Sequence, residues 1–120
     1  MPVRSFEDLV VWRRSRELCV MVYRSTTAGP FARDFGLRDQ IRRASVSVMS
    51  NIAEGFGRYS RAEMRNFIAI ARGSVFEVQS QVYLASDLGY LTAADAESLH
   101  AHCREIARML AALRASLGSP

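Results

Sequence analysis

Proline is nearly absent from the body of this chain. Pro2 and Pro120 lie at its ends, so Pro30 is the only internal proline, and no residue from Phe31 to Ser119 is barred from helix. The apolar residues recur at helical spacing throughout, which predicts four helical stretches. The first runs from about Phe6 to Thr26. It opens on Ser5 with Asp8 three residues later, and it ends in Thr26-Thr27-Ala28-Gly29-Pro30. Its apolar face is Val11, Leu18 and Val22, extended by Trp12, Cys19 and Tyr23. The second runs from about Leu37 to Glu54 on the stripe Leu37, Ile41, Ala44, Val48 and Ile52. Gly55 and Gly57 are expected to cap it and turn the chain.

The third stretch begins at the S-x-x-E capping box Ser60–Glu63 and reaches Leu88, with Gly89 beyond its end. Met64, Phe67, Ala71, Val75, Val78, Val82 and Ala85 form its core stripe. Its other side is also apolar or small, at Ile70, Gly73, Ser80, Leu84 and Leu88, and a helix with two such sides is buried twice. A four-helix monomer covers one side, so Ile70, Gly73, Ser80 and Leu84 are the expected subunit interface; the alternative is a helix central within its own monomer. The fourth stretch starts at Thr92, ends at Gly118, and repeats Ala96, Leu99, Cys103, Ile106, Leu110, Leu113 and Leu117 at the alternating 3-4 spacing of bundle packing. The short Gly89-Tyr90-Leu91 link makes the last two helices antiparallel neighbours. The expected fold is all-α, an antiparallel up-and-down four-helix bundle, with residues 1–120 as one domain.

Composition narrows the function. The chain has 120 residues, is 49% hydrophobic and 23% charged, and has no apolar run near the ~18 residues of a membrane span. Its first residues turn acidic at Glu7-Asp8 where a signal peptide would turn apolar, so a cytoplasmic location is expected. Cys19 and Cys103 both fall on apolar faces and read as reduced core thiols. His100 and His102 point about 200° apart on one helix and cannot share a metal without a kink. Glu54 and Glu63 lack an E-x-x-H partner, and Glu54-Gly55-Phe56-Gly57-Arg58 lacks the third glycine and the strand of a dinucleotide fingerprint. No nucleophile, cofactor or metal site and no small-molecule substrate is inferred, and the expectation is a protein that is not an enzyme.

The net charge is +4, and all sixteen basic residues are arginine. Seven of them, Arg38, Arg42, Arg43, Arg58, Arg61, Arg65 and Arg72, fall in the second and third stretches and the turn between them. Arg61, Arg65 and Arg72 share a face to within about 40°, with Ile68 among them and Phe76 and Tyr83 continuing it. Arginine beside aromatics suits phosphate contact with base stacking on single-stranded nucleic acid. The competing reading is a solvated face with salt bridges, such as Arg58 or Arg61 with Glu54.

The motifs Gln40-Ile41-Arg42-Arg43-Ala44-Ser45-Val46-Ser47-Val48, Ser50-Asn51-Ile52-Ala53-Glu54-Gly55 and Gly57-Arg58 resemble the 23S rRNA intervening-sequence protein family, also called the four helix bundle protein family. Phe6-Glu7-Asp8-Leu9-Val10-Val11-Trp12, Phe35-Gly36-Leu37, Ala71-Arg72-Gly73-Ser74 and Leu88-Gly89-Tyr90-Leu91 match too, so the likeness runs from Phe6 to about Leu113. Met49 stands where the family commonly carries proline, which would remove a kink there. The resemblance implies a helical bundle assembled as a homopentamer. It also implies a link to RNA, since some relatives are encoded within 23S rRNA genes and a more distant one is the basic accessory protein of diversity-generating retroelements. It carries no catalytic residues. The expected partners are further copies of the chain and RNA or DNA, with no membrane. A scaffolding oligomer acting through protein contacts is the alternative.

Overall fold

The computed structural model describes residues 3–118. A 3-10 turn, Phe6–Asp8, precedes five α-helices: α1 Val10–Ser25, α2 Gly29–Arg33, α3 Phe35–Phe56, α4 Arg61–Asp87 and α5 Ala93–Ser116. The four long helices form an elongated bundle of 44 × 24 × 23 Å. Around it the order is α1, α3, α4, α5, each helix packing on the next and α5 closing back on α1. Ser47 meets Ser74 across α3 and α4, Arg65 reaches Gly118 across α4 and α5, and Glu17 meets His102 across α1 and α5. Gly55 likewise lies against Phe67, Tyr83 against His100 and Arg14 against Glu105. Cys19 of α1 and Thr26 at its end meet Ser45 and Arg42 of α3. Along each pair of neighbours the numbering runs in opposite directions, so the helices are antiparallel.

Local rules account for most helix ends. The Ser60 hydroxyl accepts from the Glu63 amide at 3.0 Å, and the Thr92 hydroxyl accepts from the Asp95 amide at 3.1 Å. Helix α4 stops at Gly89, whose φ of 74° lets Tyr90 N–H reach Ala85 and Gly89 N–H reach Ser86. Gly118, with φ 81°, ends α5 in the same left-handed conformation. The first helix differs from its expected start. The Asp8 carboxylate accepts from the Arg4 and Ser5 amides, which holds it below the usual carboxylate range, but the turn it caps is 3-10 and α1 proper begins at Val10. Helix α3 runs unbroken through Met49.

The core lies where the stripes place it. Leu18, Val22, Val48, Ile52, Val75, Val78, Val82, Cys103, Ile106 and Leu110 are fully buried. Each aliphatic side chain of Val, Leu or Ile so buried contributes about 1.5–3 kcal/mol. Met64 and Phe67 are only half-buried, Tyr23 is exposed, and Ile68, read among the surface arginines, is fully buried. Both thiols are buried and free: Cys19 donates to the Ser45 carbonyl, and burial pushes Cys103 up to about 12.

Two expectations fail for tertiary reasons. The segment expected only to end the first helix also builds one: Pro30 sits in the first turn of α2, where its fixed φ suits a helix start, and it delivers Phe31 into the core. Phe31 stacks on Tyr90 at 5.2 Å, and Tyr90 donates to Asp34 at 2.9 Å while Asp34 caps α3 by accepting from Leu37. The α4–α5 turn is thereby tied to the start of α3. Gly55, read as a cap, lies inside α3 and is buried. A Cβ there would fall 2.7 Å from Phe67 Cβ, so its bareness serves helix packing. Gly57 has an ordinary φ of −77° and ends the helix without a left-handed turn. Gly55→Ala should therefore lower stability by about 1–3 kcal/mol through overpacking. Gly57→Ala, whose added Cβ meets nothing closer than 3.5 Å, should keep or raise it. Urea midpoints of the two variants measure the contrast.

Candidate nucleic-acid interface

A helix leaves its last carbonyls without intrahelical donors, and arginine near that end can supply them. Three of the seven predicted arginines do so. Arg42, on α3, donates from Nε to the Thr26 hydroxyl at 2.8 Å and from Nη2 to the Thr26 carbonyl at 3.0 Å, closing α1. It lies over the Tyr23 ring at 4.5 Å. Arg38 donates to the Ala32 carbonyl at the end of α2, pairs with Asp39 and lies over Phe35. Arg65 is buried, and its Nη1 donates to the Gly118 carbonyl at 2.9 Å, closing α5. The sequence puts Arg65 on a phosphate-binding face, but the structure turns it inward because α5 ends beside it.

The other four remain on the surface. Arg58 pairs with Glu54 at 3.3 Å, as its spacing suggested, and lies over the Phe67 ring. Arg43, Arg61 and Arg72 are exposed and form no salt bridge among the described residues, and Arg72 stacks over Phe76 at 5.0 Å. The cluster is thus divided over several faces of the bundle.

Antiparallel packing builds a site that sequence order hides. Arg72 and Phe76 on α4 face Arg104 and Arg108 on α5 across a groove of about 360 Å³, floored by Ala107 and Ala111 and flanked by Gln79. No carboxylate lines it, although Arg104 pairs at its rim with Glu97 at 2.7 Å. Arg104 and Arg108 lie one turn apart, the one signal in the sequence that could have found them. A second groove of about 560 Å³ runs between α1 and α5 past Arg13, Arg16, Arg24, Val20 and Met21. Glu17 stands within it, held below the usual carboxylate range by Arg14 and by His102 at 3.0 Å. A fixed negative charge there opposes phosphate, whereas the α4–α5 groove is lined by Arg72, Arg104 and Arg108 and meets a carboxylate only at its rim, where Glu97 pairs with Arg104.

The expected interface residues share a separate face of α4. Ile70, Gly73, Ser80 and Leu84 are all exposed, as is Leu88, and a Cβ added at Gly73 would meet nothing within 4 Å. The chain does not cover this side itself. Further round α4, Tyr83 rests on the His100 ring at 4.2 Å, and burial pushes His100 below its ordinary value. No three His, Cys, Asp or Glu side chains among the described residues group to hold a metal, and none of the described helices is long and apolar enough to cross a membrane.

The model of the 23S rRNA-intervening sequence protein family matches residues 7–112. The chain belongs to that family. A solved structure from Bacteroides thetaiotaomicron, described as a protein of unknown function from the S23 ribosomal protein family, superposes with a TM-score of 0.80 at 27% identity. The match covers 88% of this chain and 98% of that one. No curated protein matches. In this member of the 23S rRNA-intervening sequence protein family, surface and structural arginines should separate on mutation. Arg65→Ala should cost about 1–3 kcal/mol, because it leaves carbonyls at the end of α5 without their charged donor. Arg72→Ala should stay within about 0.5 kcal/mol. Chemical denaturation of both variants tests the division.

Proposed function

We propose that the protein is a non-enzymatic helical bundle that assembles with copies of itself and associates with RNA. The observation that carries the RNA reading is the α4–α5 groove, where Arg72, Arg104 and Arg108 converge without a lining carboxylate. Guanidinium groups offer forked donors that suit phosphate, and three of them along a groove give affinity for a backbone without reading sequence. Family membership favours RNA over DNA. The self-assembly reading rests on the uncovered face of α4, where Ile70 is 53% and Leu84 49% exposed beside the bare backbone of Gly73. A homopentamer is the assembly that the family resemblance favours, and a cytoplasmic location fits an RNA partner.

RNA association is tested by fluorescence anisotropy of nuclease-treated protein with labelled single-stranded RNA at several salt concentrations. Three phosphate contacts to a single strand should give a slope of about −2 in log K against log salt. Arg72→Ala, Arg104→Ala and Arg108→Ala should each weaken binding and flatten that slope, while Arg61→Ala, outside the groove, should change it little. Absence of binding at low salt would overturn the reading in favour of a scaffold whose arginines serve only its own helices. Assembly is tested separately by light scattering. A mass several times 13.4 kDa is expected, and Leu84→Arg should reduce it towards one chain. A 13.4 kDa particle for the unaltered protein at micromolar concentration would overturn the assembly.

A further inference from the structure

The α4–α5 groove does not end at its arginines. On α4, Phe76 and Tyr83 are seven residues apart, so they point in the same direction to within about 20° and stand about 10.5 Å apart along the axis. Both rings are open to solvent, Phe76 at 47% and Tyr83 at 62%. Each is held from one side. The Arg72 guanidinium lies over Phe76 at 5.0 Å, and the buried His100 ring lies against Tyr83 at 4.2 Å. Gln79, one turn beyond Phe76, sits between them and carries an amide that can donate and accept. The ridge adjoins the uncovered face: Phe76 and Tyr83 are turned between about 40° and 140° around α4 from Ser80, Gly73, Leu84 and Ile70.

We infer that this ridge is a base-stacking platform, and that the groove takes single-stranded rather than duplex RNA. The inference rests on the proposed RNA association and specifies its substrate class. A cationic wall alone cannot distinguish the two forms, because both present phosphates. Aromatic faces can. Bases in a duplex are already stacked and paired, whereas an unpaired strand offers its faces to Phe, Tyr or arginine. The roughly 10.5 Å is the offset of the two residues along α4, short enough for one strand to reach both rings. One base would lie on Phe76 and another base of the same strand on Tyr83. The backbone between them would run past Arg104 and Arg108 on α5, with Gln79 facing a base edge. An acidic peptide could also find the cations, but it has no ring to place on Phe76.

The experiment uses the full chain, a labelled twelve-nucleotide oligouridine and a labelled RNA duplex of the same length, at one low salt concentration. The unaltered protein should bind the single strand more tightly. Phe76→Leu and Tyr83→Leu keep apolar bulk on exposed positions and should each weaken single-strand binding about tenfold while leaving duplex binding unchanged. Phe76→Trp should restore single-strand binding, and its indole fluorescence should be quenched by oligouridine and not by the duplex. Equal binding of both RNAs, unaffected by Phe76→Leu, would overturn the platform while leaving phosphate association intact. Equal losses for both RNAs would also overturn it. Binding of neither RNA by the unaltered protein would remove the underlying association as well, and retention of a glutamate-rich peptide in that case would assign the groove to an acidic polypeptide.

Discussion

The contact between α3 and α4 organises the rest of the molecule. It is made of small groups: Gly55 has no side chain where Phe67 passes, and Ser47 and Ser74 share a hydrogen bond of 2.9 Å where larger residues would hold the helices apart. Alanine at positions 44 and 71 continues the buried small surface on both helices. With α3 pressed to one flank and α5 to the other, about half of α4 is committed to the bundle. What is left divides into a ridge beside α5, which carries Arg72, Phe76 and Tyr83, and an outer face of small and apolar residues. The two surfaces that carry the functional reading are thus consequences of one close packing decision.

The arginines show how little net charge says about charge placement. Burying the end of a helix leaves carbonyl groups that need donors. In this bundle three ends come to lie beside a neighbouring helix, and a guanidinium reaches across each time: Arg42 to Thr26, Arg38 to Ala32 and Arg65 to Gly118. These cations are spoken for before any partner arrives. The arginines gathered in one groove are instead those that antiparallel packing of two helices brought side by side, and Arg104 and Arg108 are separated from Arg72 by more than thirty positions in the chain.

This division sets what could be read before the structure. Features governed by nearest neighbours along the chain were legible: Ser60, Thr92 and Gly89 bound their helices as local capping rules require, and the stripes through Ile41, Val78 and Ile106 face one core. Features governed by contacts across the bundle were not. Gly55 resembles a helix stop until Phe67 is placed against it. Arg65 resembles a surface cation until α5 is seen to end beside it. Phe31 follows a turn-forming Gly-Pro pair and gives no periodic signal, yet it packs on Tyr90 at the far side of the bundle end. The candidate groove was half visible, through Arg72 and its aromatic neighbours, because its other half belongs to a different helix.

The two cysteines add an internal clock. Cys19 and Cys103 sit in the core, and the Cys103 thiol is held protonated far above neutral pH by its surroundings. A thiol that reacts only as thiolate, and only when solvent reaches it, is silent in the closed bundle. Its rate of alkylation then reports how often the helices part, from the interior and without any introduced residue.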